Sequence, residues 1–108
     1  LSDVPWLRTP VEPPKGRHAW QAFVTYVDPE RAPAPRNELM ERLYSMGVST
    51  RPGTHAPFSL GAYRARGVPQ DCPRALMCEH QTLALPLHNK MSAEDYEHVV
   101  RSVRELGR

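Results

Sequence analysis

Residues 47–63 read Gly-Val-Ser-Thr-Arg-Pro-Gly-Thr-His-Ala-Pro-Phe-Ser-Leu-Gly-Ala-Tyr, and the rest of the chain is organised around them. A helical pattern precedes this stretch, a short β-prone run opens it, and a second helical pattern closes it. Between these elements, Arg51, Thr54 and His55 lie on a loop shaped by a Pro-Gly pair. Polar side chains on a stiff loop between regular elements are typical of a binding site.

The composition is that of an ordinary small globular domain. With 108 residues the chain is long enough for one modest core. Its formal charge of +2 is too small to favour nucleic acid or an anionic membrane as a partner. No apolar run approaches the ~20 residues that span a bilayer, and we expect a cytoplasmic protein. Because the chain opens with Leu1 rather than Met, we also expect a piece of a longer protein.

The first 17 residues contain four prolines. Each proline fixes φ and removes a backbone donor, so this segment is predicted to be neither a helix nor a central strand. Its Trp6 and Leu7 nevertheless need an apolar surface to pack on. We therefore divide the chain into a proline-rich lead-in, residues 1–17, and a folded domain, residues 18–108.

Within the domain, hydrophobic periodicity and turn residues separate seven elements. The pattern predicts strands at 18–27, 48–51 and 81–85, and helices at 36–46, 59–66, 73–80 and 93–106. Gly47 is placed to end the first helix in a left-handed turn, and Gly67 to stop the second. These elements predict an α+β fold: a small, mainly antiparallel sheet of two to three strands covered by helices on one face.

The last helix carries the strongest local signals. Ser92 and Asp95 have the spacing of a capping pair, and Glu97 with Arg101 has the spacing of a favourable ion pair. An apolar stripe along this helix comprises Tyr96, Val99, Val100, Val103 and Leu106.

No complete catalytic set is visible in the sequence. It contains neither a phosphate-binding glycine loop nor a serine nucleophile elbow. Lys15 and Lys90 both lie in polar loops, where nothing would lower the pKa of an amine nucleophile. Arg51 could hold a carboxylate or phosphate through two parallel hydrogen bonds, or simply pair with a surface glutamate. His55 could orient a substrate or relay a proton, or be only a hydrogen-bonded loop residue.

Four residues could in principle bind zinc: Cys72, Cys78, His80 and His88. Their spacing matches neither a Cys knuckle nor a His pair of structural zinc sites. We interpret the cysteines as a pair of reduced thiols and predict no metal ligand, although a zinc-binding interaction domain stays open as a minor alternative.

The order and spacing of the motifs resemble the DegT/DnrJ/EryC1/StrS family of pyridoxal-phosphate-dependent sugar aminotransferases. The resemblance is carried by residues 47–55, by His-Ala-Trp-Gln at 18–21, by the helix over 36–47, and by Leu-Ala-Leu-Pro-Leu-His at 83–88 with the Met-Ser-Ala-Glu-Asp that begins at Met91. It implies the C-terminal small domain of an enzyme with the aspartate aminotransferase fold.

The family reaction moves an amino group, usually from glutamate, to a keto sugar attached to a nucleotide. The resemblance implies that pyridoxal 5′-phosphate (PLP) is bound mainly by a large N-terminal domain, which also supplies the cofactor lysine. This chain would then be inactive alone and would work within a homodimer. The open alternative is a stand-alone binding or regulatory module that kept the fold.

Carried over from the family, Arg51, Thr54 and His55 would line the sugar or donor-acid side of the active site. The sequence departs from many family members at Phe58, where they have a histidine. Phenylalanine cannot donate or relay a proton, so either that contact is dispensable here or the acceptor differs. His88 is interpreted as structural.

Overall fold

The computed structural model describes residues 1–66 and 72–108. Four strands and four helices, with one short 3-10 turn, make up the regular structure of these residues. The strands are β1 (Leu7–Arg8), β2 (Phe23–Val27), β3 (Arg51–Pro52) and β4 (Thr82–Leu85), and the helices are α1 (Arg36–Ser45), α2 (Gly61–Arg64), α3 (Pro73–Gln81) and α4 (Ala93–Leu106), with the 3-10 turn at Pro57–Ser59.

The strands form a single antiparallel sheet in the order β1-β2-β4-β3. In the centre of this sheet Phe23 lies opposite Leu85, and at one edge Arg51 lies opposite Ala84. The structure thus confirms the predicted α+β class and the antiparallel sheet. The sheet has four strands where two to three were expected, because residues of the proline-rich lead-in form β1 at the other edge.

The core brings one face of the sheet together with α1 and α4. Because side chains alternate along a strand, Leu83 and Leu85 of β4 lie on the same face as Val27 of β2. Burial of this face against helical side chains supplies the hydrophobic contribution to folding. The buried cluster comprises Val4, Trp6, Leu7, Val27, Leu39, Leu43, Val48, Leu83, Leu85, Val99, Val103 and Leu106.

The lead-in is part of this core. Trp6 and Leu7 are almost fully buried, and the Trp6 carbonyl accepts a hydrogen bond from the Asp28 N–H at 2.8 Å. Asp3 pairs with Arg104 of α4 at 2.7 Å. Both predicted packing residues therefore find their apolar surface within this chain.

The strand predicted over 18–27 is shorter than the sequence indicated. It begins at Phe23, because the backbone at Trp20 has φ of 51°, a left-handed conformation that interrupts an extended strand. The Trp20 ring stacks between the rings of His18, at 4.1 Å, and Phe23, at 5.6 Å. This aromatic contact replaces sheet pairing over residues 18–22.

The strand predicted over 48–51 is also displaced, to Arg51–Pro52. Gly47 adopts the predicted left-handed conformation, with φ of 82°. The chain then turns back so that the Val48 N–H donates to the Leu43 carbonyl at 2.9 Å, closing the end of α1. Because this hydrogen bond uses the Val48 N–H at the end of α1, Val48 does not pair in the sheet. Its side chain is buried in the core.

The helix predicted over 59–66 is divided into the 3-10 turn and α2. Leu60 separates the two, because its extended backbone, with φ of −75° and ψ of 135°, cannot continue a helix. The predicted stop at Gly67 lies outside the described residues. The helices predicted over 36–46 and 73–80 are confirmed to within one residue.

The capping box at the start of α4 is confirmed: the Ser92 hydroxyl accepts from the Asp95 N–H, and the Asp95 carboxylate accepts from the Ser92 N–H at 2.7 Å. The apolar stripe is only partly buried, because Val100 is half-buried and Tyr96 is exposed. No ion pair joins Glu97 to Arg101 in the part of the chain that the structure describes.

None of the described helices combines the length and apolar character that a bilayer crossing needs.

Candidate functional site

An open groove of about 880 Å³ lies along the β3 edge of the sheet. One side is formed by strands β2, β4 and β3, and the other by the connection between α1 and β3 together with the first turns of α4. Its polar lining consists of Gln21, Ser49, Arg51, His88, Asp95 and His98. A concave surface with a few convergent polar groups over an apolar floor is the usual form of a small-molecule site.

Arg51 is held at the groove by β3. Its backbone pairs with Ala84 of β4, and two residues later the Gly53 N–H donates to the Thr82 carbonyl at 3.3 Å. The Arg51 side chain is exposed, and it forms no ion pair with the residues that the structure describes. The backbone of Arg51 is therefore held in a strand, while its guanidinium makes no ion pair with a described residue. Such an arginine is suited to binding a carboxylate or phosphate.

Thr54 and His55 lie beyond the end of the groove, on the segment 53–60, which we call the site loop. The groove lining ends at Gly53, and both Thr54 and His55 are exposed. The structure therefore places one of the three predicted binding residues in the groove. The other two follow it directly on a loop that leaves the groove edge.

Two apolar side chains anchor the site loop to the protein. Ala56 is fully buried and Phe58 is nearly so. Burial of Phe58 gives a physical reason for an apolar phenylalanine at this position. The side chain consequently supplies no polar group to the surface.

Behind the site loop lies a polar cluster that the sequence did not reveal. The Ser59 hydroxyl lies 2.9 Å from Glu79 Oε1, and Arg36 Nη1 donates to the buried Thr82 carbonyl at 2.7 Å. Burial lowers the pKa of the Arg36 guanidinium, and the nearby Glu79 carboxylate opposes that shift. No local motif marks these residues, because each contact joins elements far apart in sequence.

The groove histidines have structural contacts. His98 Nε2 lies 2.8 Å from the Met46 carbonyl, where it completes the hydrogen bonding at the end of α1. His88 Nδ1 accepts a 3.3 Å hydrogen bond from the Lys90 N–H in the turn before α4. The contact of His88 agrees with its interpretation as structural, and His98 is a groove residue that the sequence did not single out.

Asp95 adds a negative charge to the groove. Hydrogen bonds from the Ser92 N–H and from the Ser92 side chain hold the pKa of this carboxyl below its ordinary value. Asp95 therefore stays ionised throughout the neutral range. The groove consequently presents an acidic and a basic group, Asp95 and Arg51, on opposite sides.

The potential metal ligands and amine nucleophiles lie apart from one another. Among residues 1–66 and 72–108, no three His, Cys, Asp or Glu side chains are grouped closely enough to hold a metal ion. Cys72 and Cys78 are free thiols. Lys15 and Lys90 are both exposed, and neither lines the groove.

Comparison with known proteins supports the sequence resemblance. The chain is 33% identical, over 112 aligned residues, to the spore coat polysaccharide biosynthesis protein SpsC of Bacillus subtilis (strain 168); the match covers 98% of this chain and 28% of SpsC. The aminotransferase TlmJ from Streptoalloteichus hindustanus has the same fold with a TM-score of 0.81 and 33% identity, over 98% of this chain and 27% of TlmJ.

A third comparison shows the fold alone. The PLP form of the putative sugar aminotransferase Spr1654 from Streptococcus pneumoniae superposes with a TM-score of 0.84 at 18% identity, over 94% of this chain and 26% of that one. The chain thus spans little more than a quarter of the length of these relatives. The model of the DegT/DnrJ/EryC1/StrS aminotransferase family matches residues 1–104, and the chain belongs to this family.

Proposed function

We propose that this chain is the substrate-contacting C-terminal small domain of a PLP-dependent sugar aminotransferase. In this proposal the enzyme transfers an amino group from glutamate to a keto sugar linked to a nucleotide. The observation that carries the proposal is Arg51, exposed on the wall of an open groove and without an ion-pair partner among the described residues, in a chain of the aminotransferase family. Residues 18–108 would form the small domain, and residues 1–17 would lead into it and complete its sheet and core with β1.

The groove of this chain offers an anion-binding arginine, and no lysine is among its described lining residues. Arg51 offers the planar donor pair that binds a phosphate or carboxylate. Both lysines are exposed and lie outside the groove, so we propose that the lysine that holds PLP comes from another part of the protein. PLP, when bound, supplies the electron sink that amino transfer requires.

Each of the three predicted binding residues would then have a task, Arg51 in the groove and the other two beside it on the site loop. Arg51 would hold the carboxylate of the amino donor or a phosphate of the nucleotide, and its fixed backbone would orient that group. Thr54 and His55 would contact the sugar from the site loop. The open shape of the groove agrees with a site that is completed by a second wall, and we propose that the enzyme works as a homodimer in the cytoplasm.

Amino transfer by the full-length protein tests this function. The purified protein is incubated with PLP, L-glutamate and a nucleotide-linked 4-keto-6-deoxy sugar, and both 2-oxoglutarate and the amino sugar are measured by mass spectrometry. The proposal expects the two products in equal amounts. Binding of the nucleotide sugar without either product would instead favour the regulatory module, and the absence of both binding and turnover across a panel of keto sugars would overturn the proposed substrate class.

A further inference from the structure

Glu79 is a largely buried carboxylate with an unusual set of contacts. It lies on α3 behind the site loop, and its side chain is 15% exposed. Its Oε2 atom is buried and has no hydrogen-bond partner among the described residues. Burying a carboxylate oxygen without a partner is costly. A carboxylate in this position is therefore a candidate for a role beyond packing.

Two of its neighbours, Ser59 and His55, belong to the site loop, and the Arg36 guanidinium of α1 also lies within electrostatic range of the carboxylate. Oε1 lies 2.9 Å from the Ser59 hydroxyl and 3.9 Å from Nδ1 of His55. The Ser59 hydroxyl also lies 2.8 Å from the Ala56 carbonyl, so its single proton is shared between two acceptors. The carboxylate of Glu79 therefore faces the loop from behind, at the point where His55 leaves the groove edge.

The contact with His55 has a chemical consequence. A carboxylate beside one imidazole nitrogen favours the tautomer that carries its proton there, and so determines which nitrogen keeps a lone pair. At 3.9 Å the Glu79–His55 contact is longer than a hydrogen bond but within electrostatic range. The other ring nitrogen, Nε2, makes no hydrogen bond to a described residue, and the His55 side chain is 65% exposed.

We infer that Glu79 is the positioning residue of His55: it holds the proton on Nδ1 and leaves Nε2 as a hydrogen-bond acceptor for a hydroxyl group of the sugar substrate. The inference rests on the proposed function for the identity of that substrate. It adds a residue of α3, 20 positions along the chain from Ser59 of the site loop, to the set that determines substrate binding. Glu79 itself makes no contact with substrate in this arrangement.

The tautomer of His55 is the first readout, and it is independent of activity. The full-length protein is labelled with ¹⁵N-histidine, and the His55 signal is assigned by its loss in His55→Ala. The native protein is expected to show the Nδ1–H tautomer, and Glu79→Gln is expected to shift the population toward Nε2–H. An unchanged tautomer in Glu79→Gln overturns the inference.

Kinetics supply the second readout, through a double-mutant cycle. With the nucleotide-linked 4-keto-6-deoxy sugar as substrate, Glu79→Gln is expected to lower kcat/KM about tenfold, mainly by raising KM. The loss corresponds to one hydrogen bond, because the sugar hydroxyl would no longer find its acceptor on His55 Nε2. In the His55→Ala background the same substitution is expected to have no further effect, because its partner is gone. Equal losses in both backgrounds would show that Glu79 acts independently of His55 and would overturn the inference.

Two further variants keep the result interpretable. Glu41→Gln removes an exposed glutamate on α1 and is expected to change neither readout. Should Glu79→Gln fail to fold, Glu79→Asp is measured instead, because it keeps the charge but moves the carboxylate away from His55 by the length of one methylene group. A tautomer population between those of the two extremes is expected for Glu79→Asp. A fully native tautomer population in this variant overturns the inference. If no keto sugar is turned over, the proposed function fails, while the tautomer measurement still decides whether Glu79 positions His55.

Discussion

Arg36 Nη1 donates to the Thr82 carbonyl at 2.7 Å, and the same carbonyl accepts from the Gly53 N–H at 3.3 Å. One oxygen thereby joins the start of α1, the start of β4 and the segment that follows β3. The Arg36 side chain is buried, with 8% of its surface exposed. A charge-assisted hydrogen bond in such a setting contributes more to stability than an exposed one.

We expect Arg36→Ala to lower the free energy of unfolding by about 2 kcal/mol, because it removes a charged donor from a buried carbonyl. Urea unfolding followed by circular dichroism measures this change. Arg42→Ala is the matched control on the same helix, since Arg42 forms an exposed pair with Glu38 at 2.6 Å and its loss should cost no more than about 0.5 kcal/mol. Equal costs for the two variants would contradict the assigned role of Arg36.

Gly53 is required by space rather than by backbone conformation. A Cβ atom at this position would clash with Val24 Cγ1 and would lie 2.7 Å from Thr82 Oγ1. We expect Gly53→Ala to destabilise the protein by about 1–3 kcal/mol through overpacking, and to reduce activity further by displacing the site loop. Thermal unfolding and amino-transfer assays measure the two effects.

Gly61→Ala is the matched control for this substitution. No atom of residues 1–66 or 72–108 lies within 4 Å of a Cβ atom built at Gly61, and the residue begins α2, where alanine is favoured over glycine. Its stability should be unchanged or raised by up to about 1 kcal/mol. A Gly53→Ala protein as stable and active as Gly61→Ala would show that the loop tolerates the displacement.

Asp95 links stability to pH through the capping box. Its hydrogen bonds with Ser92 hold its folded-state pKa below the ordinary value of 3.8. A depressed folded-state pKa stabilises the protein above the unfolded-state pKa, and this contribution is lost as the pH falls through the folded-state value. We therefore expect Asp95→Asn to be less stable than the native protein at neutral pH, and the difference to shrink as the pH falls below 3.8.

Urea midpoints recorded at several pH values from neutral to strongly acidic measure this difference. Both proteins should still lose some stability in acid, because the pKa of Asp3 is also lowered, chiefly by its hydrogen bond with Arg104. A difference between the two proteins that stays constant down to the lowest pH would exclude the capping carboxylate as its cause.

The features that the sequence predicted well are determined over a few neighbouring residues. The capping box of Ser92 and Asp95 joins positions three apart, and the left-handed turn at Gly47 follows from the residue type itself. Arg51 was singled out because a Pro-Gly pair follows it; it lines the groove, and its role in binding stays a prediction.

The features that the sequence did not predict depend on contacts between distant elements. Val48 is β-branched and was predicted to lie in a strand, but its N–H donates to the Leu43 carbonyl at the end of α1. Arg36 contacts a carbonyl 46 residues away, and the Ser59–Glu79 contact spans 20 residues. Single-sequence periodicity does not encode which distant helix will supply a partner, so the polar cluster behind the site loop was missed.

The two valines in the α4 stripe should respond differently to a buried charge. Val103 is fully buried in the core, so we expect Val103→Asp to prevent folding, since an unpaired carboxylate there costs several kcal/mol. Val100 is only half-buried, and Val100→Asp can place its carboxylate toward solvent at a smaller cost. Soluble yield and far-UV circular dichroism compare the two, and similar behaviour would contradict the burial of this helix face.

Arg51 provides the most direct test of the groove. Because its side chain is exposed and makes no ion pair with the described residues, Arg51→Ala should leave the melting temperature within about 2 °C of the native value, as surface substitutions do. In the full-length protein the same change should lower kcat/KM about tenfold to a hundredfold, the effect of losing a charged hydrogen-bond donor. Arg51→Lys should restore little of this activity, because an ammonium group cannot make the paired contact of a guanidinium.

Arg101→Ala is the control. Arg101 is an exposed arginine of α4 outside the groove lining, and its loss should leave the kinetics native. Native turnover in Arg51→Ala would remove Arg51 from the site, whereas a loss of stability equal to the loss of activity would identify it as a structural residue.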